Sequence, residues 1–429
     1  MRYADHLDLM PDAGMAANSA GGWSFAVDDW TRLDRFLILG CEGGSYYASE
    51  RKLSRENAQA VLRCVAADGP EAVRRIVAVS VAGRAPKNDP AVFALALACA
   101  HGDALTKKAA YAAVPQVCRT GTHLFQFASA SDALRGWGRG LRQAVAGWYA
   151  GKDARTVAYQ AAKYQQRDGW SHRDLLRLAH PKASGTLNDV FAWIVRKPDA
   201  ETVWASAPSA DDALAPLYAL DAARRAKSAD EVVRLVRDYR LVREGVPTEF
   251  LASAAVWEAL LEEMPLAALV RNLATMTRVG LLSEGSAAAR EVVARLDDVQ
   301  RLRKARLHPL AVLVALKTYA SGRGVRGKGT WTPAREIVEA LDRAFYAAFA
   351  AVEPTGKRWL LALDVSGSMG CGTVAGAAGL TPRVAAAAMA LVTAAEPSHA
   401  LLGFSDKLVP VPIEAGMTLD QAAAAMDRI

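Results

Sequence analysis

Cysteine is scarce in this 429-residue chain. The five present (Cys41, Cys64, Cys99, Cys118 and Cys371) are odd in number and scattered, with no CxxC pair and no clustered histidines. A disulfide framework and a zinc ribbon are thereby excluded, and the thiols read as reduced core residues. Long apolar runs are also missing. The longest, residues 384–395, falls well short of the roughly 20 residues that a membrane span needs. The start, MRYADHLDLM, carries early acids and lacks the apolar segment and cleavage site of a secretory signal, so a cytoplasmic protein without a membrane partner is expected. Aromatic residues are only 7% of the chain, yet 52% of side chains are apolar, which supports a sizeable core and excludes wholesale disorder. The length calls for two or more folded units.

The charge is modest in sum and uneven in place. Lys and Arg number 52 against 45 Asp and Glu, a net +7. Residues 103–182 hold 13 bases and five acids, so this window carries the whole excess and the remainder is nearly neutral. His123, Trp137, Trp148, Tyr111, Phe125 and Tyr159 lie in the same stretch. Cations interleaved with rings suit RNA, because the cations neutralise phosphates and the rings stack on unpaired bases. The candidate contacts are Lys107, Lys108, Arg135, Arg139, Arg142, Lys163, Tyr164, Arg167, Trp170, His172, Arg173, Arg177 and Lys182.

Helical spacing sharpens that reading. Arg135, Arg139 and Arg142 fall at i, i+4 and i+7, while Leu141, Val145 and Trp148 form an apolar stripe on another face. Tyr159, Lys163 and Arg167 repeat the i, i+4 step. After a Gly-Trp break at 169–170, a second helix carries Arg173 and Arg177, with Ser171 as its N-cap and His180 completing the face. Basic helix faces are more often plain solvated surface, and a lone His172 is more often structural, so spacing alone leaves both readings open.

From about residue 28 to 350 the pattern is successive amphipathic helices, good examples being 57–66, 90–100, 213–226, 229–239, 250–263, 287–299 and 333–349. A mainly α architecture of antiparallel helical hairpins stacked side by side is expected, without a strict sequence period. The segment SGRGVRGKGTWT at 321–332, with Arg323, Arg326, Lys328 and Trp331, resembles a phosphate loop only superficially. Gly329 stands where magnesium binding needs Ser or Thr, so a solvated loop is the preferred reading.

After Glu353 the character changes. The apolar run 359–363 reads as a buried parallel strand ending at Asp364, followed by a Gly-rich loop, a helix at 383–395 and a second strand at 400–404. This is the strand, helix, strand unit of a doubly wound α/β domain, whose crevice lies at the carboxyl ends of its strands. There sits DxSxS: Asp364, Ser366 and Ser368 offer a carboxylate and two hydroxyls, hard oxygen donors of the kind magnesium or calcium prefers. A serine nucleophile finds no G-x-S-x-G elbow and no assignable base, and a phosphoaspartate site would want Asp at 366.

Long words throughout the chain carry a family resemblance: NSAGGW from Asn18, RFLILGCEGGSYY from Arg35, THLFQF from Thr122, KYQQRDGWSHRDLLRLAH from Lys163, EEMPLAALVRNL from Glu262, HPLAVLVALKTY from His308 and LLALDVSGSM from Leu360. The chain resembles a bacterial member of the Ro ribonucleoprotein autoantigen family, with its TROVE domain. The resemblance implies a ring of HEAT-like helical hairpins over residues 1–355, closed by a von Willebrand factor A type domain over 356–429. It implies a central hole for single-stranded ends of misfolded noncoding RNA, Y RNA on a basic outer surface, and a monomeric, non-enzymatic protein of RNA quality control. Polynucleotide phosphorylase, an exoribonuclease, is the implied protein partner. By position, GWSHRDLLRL carries the family's RNA-binding helix, so His172, Arg173 and Arg177 inherit that role, with Lys163 and Arg167 just before it. Asp364, Ser366 and Ser368 inherit a metal-ion-dependent adhesion site, with Mg2+ the expected divalent cation. The family's A domain draws a further Thr and Asp from later loops. A chain stopping at Ile429 is therefore expected to be truncated, with its metal site incomplete. Two other classes stay open: a metal-dependent protein-interaction scaffold without specific RNA binding, and a hydrolase using metal at Asp364, for which paired carboxylates are missing.

Overall fold

The structure, a computed structural model, describes residues 14–17, 23–40, 50–85, 87–196, 204, 206–324, 329–374, 377 and 379–429. Asn18, Cys41, Arg326 and Lys328 lie outside this set. Two compact units are present, Met1–Ala222 and Ala223–Ile429.

In the first unit an antiparallel hairpin, β1 (Met15–Ala17) with β2 (Trp23–Phe25), precedes a run of helices. These are α1 (Asp29–Leu39), α2 (Glu50–Ala82), α3 (Asp89–His101), α4 (Ala104–Val117), α5 (Gly121–Arg135), α6 (Arg139–Ala150), α7 (Ala154–Lys163), α8 (His172–Ala179) and α9 (Thr186–Arg196). A two-residue hairpin, β3 (Gln166–Arg167) with β4 (Trp170–Ser171), separates α7 from α8. α10 (Ala215–Arg225) spans the boundary between the units. Helix starts are local: the side chains of Asp28, Asp103, Thr120, Asp153 and Ser171 each accept the backbone N–H three residues on. Inside α2, Asp68 leaves helical geometry and accepts the Glu71 N–H at 3.0 Å, which restarts the helix around Pro70, a residue with no N–H to give.

Helices pack on their neighbours and next neighbours, α2 on α3 and α4, α3 on α5, α4 on α6, α6 on α8 and α8 on α9, as stacked hairpins require. Trp148, Tyr149, Phe125 and Phe127 are fully buried among them. Burial of aromatic side chains this large contributes about 2–3 kcal/mol each. Cys64, Cys99 and Cys118 are free and buried, and burial pushes the Cys64 and Cys99 thiols up to about 11 and about 12, which makes them unreactive. Cys371 departs from the core-thiol expectation: it is free but exposed, in the loop after Ser368.

The second unit holds α11 (Ala229–Tyr239), α12 (Ala254–Glu262), α13 (Leu266–Arg278), α14 (Ala287–Asp297), α15 (Val299–Ala305), α16 (Pro309–Ala320) and α17 (Arg335–Ala347). Two expected helices are shorter than their apolar pattern. The one at 250–263 splits at Ser253, whose extended backbone separates a 3-10 turn, Thr248–Ala252, from α12. The one at 287–299 stops at Asp298, whose carboxylate caps α15.

A small sheet follows: β5 (Arg358–Asp364), helix α18 (Pro382–Thr393), β6 (Ser398–Phe404), β7 (Leu408–Pro410) and helix α19 (Leu419–Asp427). β5 runs parallel to β6, and β7 adds antiparallel to β6. The expectation of a fully buried first strand is corrected. Among the described residues β5 is an edge strand, so Leu363 is buried while Trp359 and Leu360 are 42% and 66% exposed.

Two glycines of α6 test its packing against α4. A Cβ on Gly140 would lie 2.5 Å from the Tyr111 ring, whereas one on Gly147 would meet nothing within 4 Å. Gly140→Ala is therefore expected to lose about 1–3 kcal/mol through overpacking, and Gly147→Ala to gain about 0.5–1 kcal/mol in helix propensity. Urea unfolding of the two variants reads both signs.

Candidate nucleic-acid interface

The basic window does not fold as one continuous cationic helix. Gly136 takes a left-handed backbone (φ 79°) that ends α5, and Gly138 is the N-cap of α6. Arg135 is thus on a different helix from Arg139 and Arg142, which corrects the i, i+4, i+7 reading, and its guanidinium donates to the Ala100 carbonyl at 3.3 Å. The stripe of Leu141, Val145 and Trp148 is buried as its spacing predicts. Lys152 is spent on structure: its ammonium lies 3.6 Å from the centre of the Trp148 ring and donates to the Trp148 carbonyl, and burial lowers its pKa to about 8. Lys107 and Lys108 sit on α4, half-buried and exposed respectively.

Arg167 is the second correction. α7 ends at Lys163, and Asp168 and Gly169 both adopt positive φ (51° and 79°), which closes a tight β3–β4 turn instead of extending the helix. Arg167 is exposed on that turn and pairs with adjacent Asp168 at 3.5 Å. Lys163 donates to the Tyr159 hydroxyl at 3.1 Å and lies about equally far from the rings of Tyr159 and Tyr164 (5.4 and 5.5 Å). Trp170, half-buried, packs on Trp137 with centroids 5.4 Å apart.

α8 begins with the predicted Ser171 cap, reinforced by a reciprocal capping box with Asp174. Arg173 is half-buried, with its Nε buried and unpartnered, and Arg177 is exposed. His172 is not at the surface. It is 3% exposed, within ring contact of Phe125 (4.7 Å), Tyr149 (5.7 Å) and Trp148 (6.3 Å), and its Nδ1 is 2.7 Å from the Tyr149 hydroxyl. Its ring cannot stack on a base from there, and it acts on the face only by holding α8. Burial lowers its pKa to about 4, partly offset by the backbone of Gln160 and Tyr164, and its buried Nε2 meets no group in hydrogen-bond geometry among the described residues. Burial also pushes the Tyr149 phenol well above its ordinary value, so a neutral phenol and a neutral imidazole share this hydrogen bond, with the donor set by the ring's tautomer. Gly121 permits this close fit, since a Cβ there would lie 2.8 Å from the His172 Nε2.

Where α6 faces the segment that follows α8, an open cleft of about 460 Å³ is lined by Trp137, Arg139, Arg142, Gln143, His180 and Lys182, among others. None of its lining residues is acidic. Among the described residues, Arg139, Arg142, Arg177 and Lys182 have no carboxylate partner, in contrast to Arg63, Arg237 and Arg343, which pair with Asp29, Glu262 and Asp297. The fold thus gathers three predicted cations, Arg139, Arg142 and Lys182, with His180, which the spacing also placed on the basic face and which takes a left-handed backbone (φ 47°), and adds Trp137 and Gln143. The Gly-Trp-Gly break at 136–138 was the available signal for Trp137. Lys107, Lys108, Lys163, Arg167, Arg173 and Arg177 do not line the cleft.

In the second unit, Asp364 ends β5 opposite Phe404 of β6. Its Oδ1 accepts the Ser366 N–H at 2.9 Å, the hydroxyls of Ser366 and Ser368 are 3.0 Å apart, and the Ser366 hydroxyl and N–H hold the Asp364 carboxyl below its ordinary value. Three hard oxygen donors converge in one turn, which suits part of the shell of a magnesium-sized cation. Arg383 ties this turn down, donating to the Ser366 carbonyl at 3.1 Å while pairing with Asp427 of α19.

Helical hairpins presenting an unpaired basic cleft, followed by an α/β element with a DxSxS turn, define a helical-repeat protein joined to a von Willebrand factor A type unit. Residues 16–318 match the TROVE domain and residues 358–429 match the Ro60 vWA domain. The chain is 43% identical over 415 residues to RNA-binding protein RO60 of Deinococcus radiodurans, covering 96% of this chain and 77% of the relative. It is 34% identical to RNA-binding protein RO60 of Caenorhabditis elegans, covering 93% and 73%. The crystal structure of the Deinococcus radiodurans RO (RSR) protein superposes with a TM-score of 0.80 at 42% identity, covering 93% of this chain and 80% of that one. The chain belongs to the Ro family of TROVE-domain proteins.

The buried imidazole makes stability pH-dependent. With a folded pKa near 4 against 6.5 unfolded, the unfolded chain binds more protons between these values. Its contribution is complete above pH 6.5 and is lost as pH falls towards 4, by about 3 kcal/mol in all. His123 and His308 are shifted the same way by burial and add to the slope. His172→Phe is expected to lower stability at pH 8, since the buried Tyr149 hydroxyl loses its hydrogen-bond partner, and to flatten the decline from pH 6.5 to 4 while leaving the share of the other two histidines. Denaturant unfolding across that range checks it.

Proposed function

We propose that this chain is a non-enzymatic RNA-binding ribonucleoprotein component of noncoding-RNA quality control. It holds small Y RNA along the basic face of α6, α8 and residues 180–182, and takes single-stranded ends of misfolded RNA into the central hole that the family resemblance implies. It acts as a cytoplasmic monomer with an exoribonuclease, polynucleotide phosphorylase. The observation that carries the reading is the cleft itself, where Arg139, Arg142 and Lys182 stand together with no acid lining it. A basic face kept for solubility alternates signs, and cations left uncompensated suit a polyanion. The relatives' name, RNA-binding protein, supports the same class of ligand.

The proposal includes a divalent cation, Mg2+, held by Asp364, Ser366 and Ser368. The convergence of those donors at the strand end also favours a second reading, in which the α/β element binds an acidic group of a protein partner through the metal. Three protein oxygens make only half of an octahedral magnesium shell, so the site is incomplete and calorimetric titration with Mg2+ is expected to give weak binding that Asp364→Ala abolishes. Tight, stoichiometric binding would overturn the incomplete site, and equal heats from both proteins would remove the cation.

Binding to a structured RNA is expected to weaken steeply with salt. Each phosphate contact adds roughly 0.9 to the slope of log affinity against log salt, so Arg139→Ala with Arg142→Ala lowers that slope by about 2. Filter binding at several salt concentrations measures it. A double variant with unchanged affinity and slope would reduce the face to solvated surface.

A further inference from the structure

The DxSxS turn is not held by its own residues alone. Arg383 follows Pro382 at the start of α18, where the Thr381 hydroxyl caps the helix by accepting the Val384 N–H at 3.3 Å. Its side chain is only 20% exposed. One end of the guanidinium donates to the Ser366 carbonyl at 3.1 Å while the same group pairs with the Asp427 carboxylate, and its Nε is buried without a partner. It also lies beside the tight segment Gly367–Gly370, since a Cβ on Gly370 would come 3.9 Å from its Cζ. A planar fork of donors suits a bridge between two acceptors set at fixed places. The helix that carries Asp427 is fixed at its other end. There the Leu419 N–H donates to the Tyr346 hydroxyl of α17 at 3.0 Å, and Thr418 and Gln421 form a capping box. Leu419, Ala422, Ala425 and Met426 are buried, and α19 packs against α18. Asp427 therefore meets Arg383 only while α19 is seated.

We infer that Arg383 is a positioning residue for the cation turn, and that through Asp427 it links divalent-cation binding at Asp364, Ser366 and Ser368 to the seating of α19. The inference rests on the cation reading and adds to it two residues, Arg383 and Asp427, outside the donor set. The bond to the Ser366 carbonyl holds the backbone from which both serine hydroxyls project, so the three oxygens stay convergent. A bare guanidinium beside a cation site repels its ion, and Asp427 offsets that charge. The linkage is reciprocal: what cation binding gains from a seated α19, α19 gains from a bound cation.

The test uses the full chain and Mg2+ alone, read by amide hydrogen exchange and by calorimetry. In the unaltered chain, saturating Mg2+ is expected to slow exchange in residues 364–370 and, with them, in residues 419–427. Asp427→Asn is expected to weaken Mg2+ binding about fivefold, the effect of losing a half-exposed charge-assisted hydrogen bond, and to remove the response of residues 419–427. Arg383→Met separates positioning from charge. Loss of a positive charge alone tightens cation binding, whereas loss of the hold on Ser366 weakens it, and weakening is expected. Arg383→Lys keeps the charge without the fork and is expected to stay weak. Exchange that slows only in residues 364–370, tighter binding by Arg383→Met, or full affinity in Asp427→Asn or Arg383→Lys overturns the inference and leaves the cation reading intact. No heat and no change in exchange with the unaltered chain overturns both.

Discussion

The imidazole of His172, sealed beneath Phe125, Trp148 and Tyr149, ties together the helices that build the basic cleft. Phe125 comes from α5, Trp148 and Tyr149 from α6, and His172 is the first residue of α8. Tyr149 extends the cluster to Phe191 of α9 at 5.9 Å. Because the ring sits at the start of α8 and its Nδ1 is bonded to Tyr149, it sets where the helix begins, and so where His180 and Lys182 emerge eight and ten residues on. An imidazole is suited to this role: it fills an aromatic cage like a small ring and still satisfies a buried phenol.

Around that anchor, two kinds of cation coexist. Lys152 and Arg135 return to backbone carbonyls, and Lys163 to the Tyr159 hydroxyl, so they stabilise helix ends and turns. Arg139, Arg142 and Lys182 are left facing a shared concavity. The composition of the window counts these groups alike, although only the second kind offers its full charge to a ligand. In the second unit Arg383 plays the structural part, joining the DxSxS turn to α19.

Much of the fold was legible because its signals are local. A cap such as Ser171 needs only the three residues that follow it, and the stripe of Leu141, Val145 and Trp148 needs only one helix. The strand ending at Asp364 was readable from a continuous apolar run, although its exposure was not, since that depends on which strands flank it. The errors had local causes as well. Arg135 keeps helical spacing with Arg139 across the break at Gly136, and Arg167 keeps it with Lys163 across the end of α7 at Tyr164, and spacing does not register where the backbone leaves helical geometry. Gly136 and Gly169 were visible as glycines, but their backbone conformation was not.

The sequence by itself determined the helices, their caps, the concentration of positive charge in residues 103–182, the DxSxS turn and, through long shared words, the family. Each is a property of neighbours along the chain or of composition. Only the tertiary structure decided that His172 is buried while His180 is exposed, that Arg139, Arg142 and Lys182 meet, and that Trp137 stands beside them. Burial and convergence depend on which helices pack, and that follows from contacts between side chains far apart in sequence, such as Phe125 with His172, which no local pattern encodes.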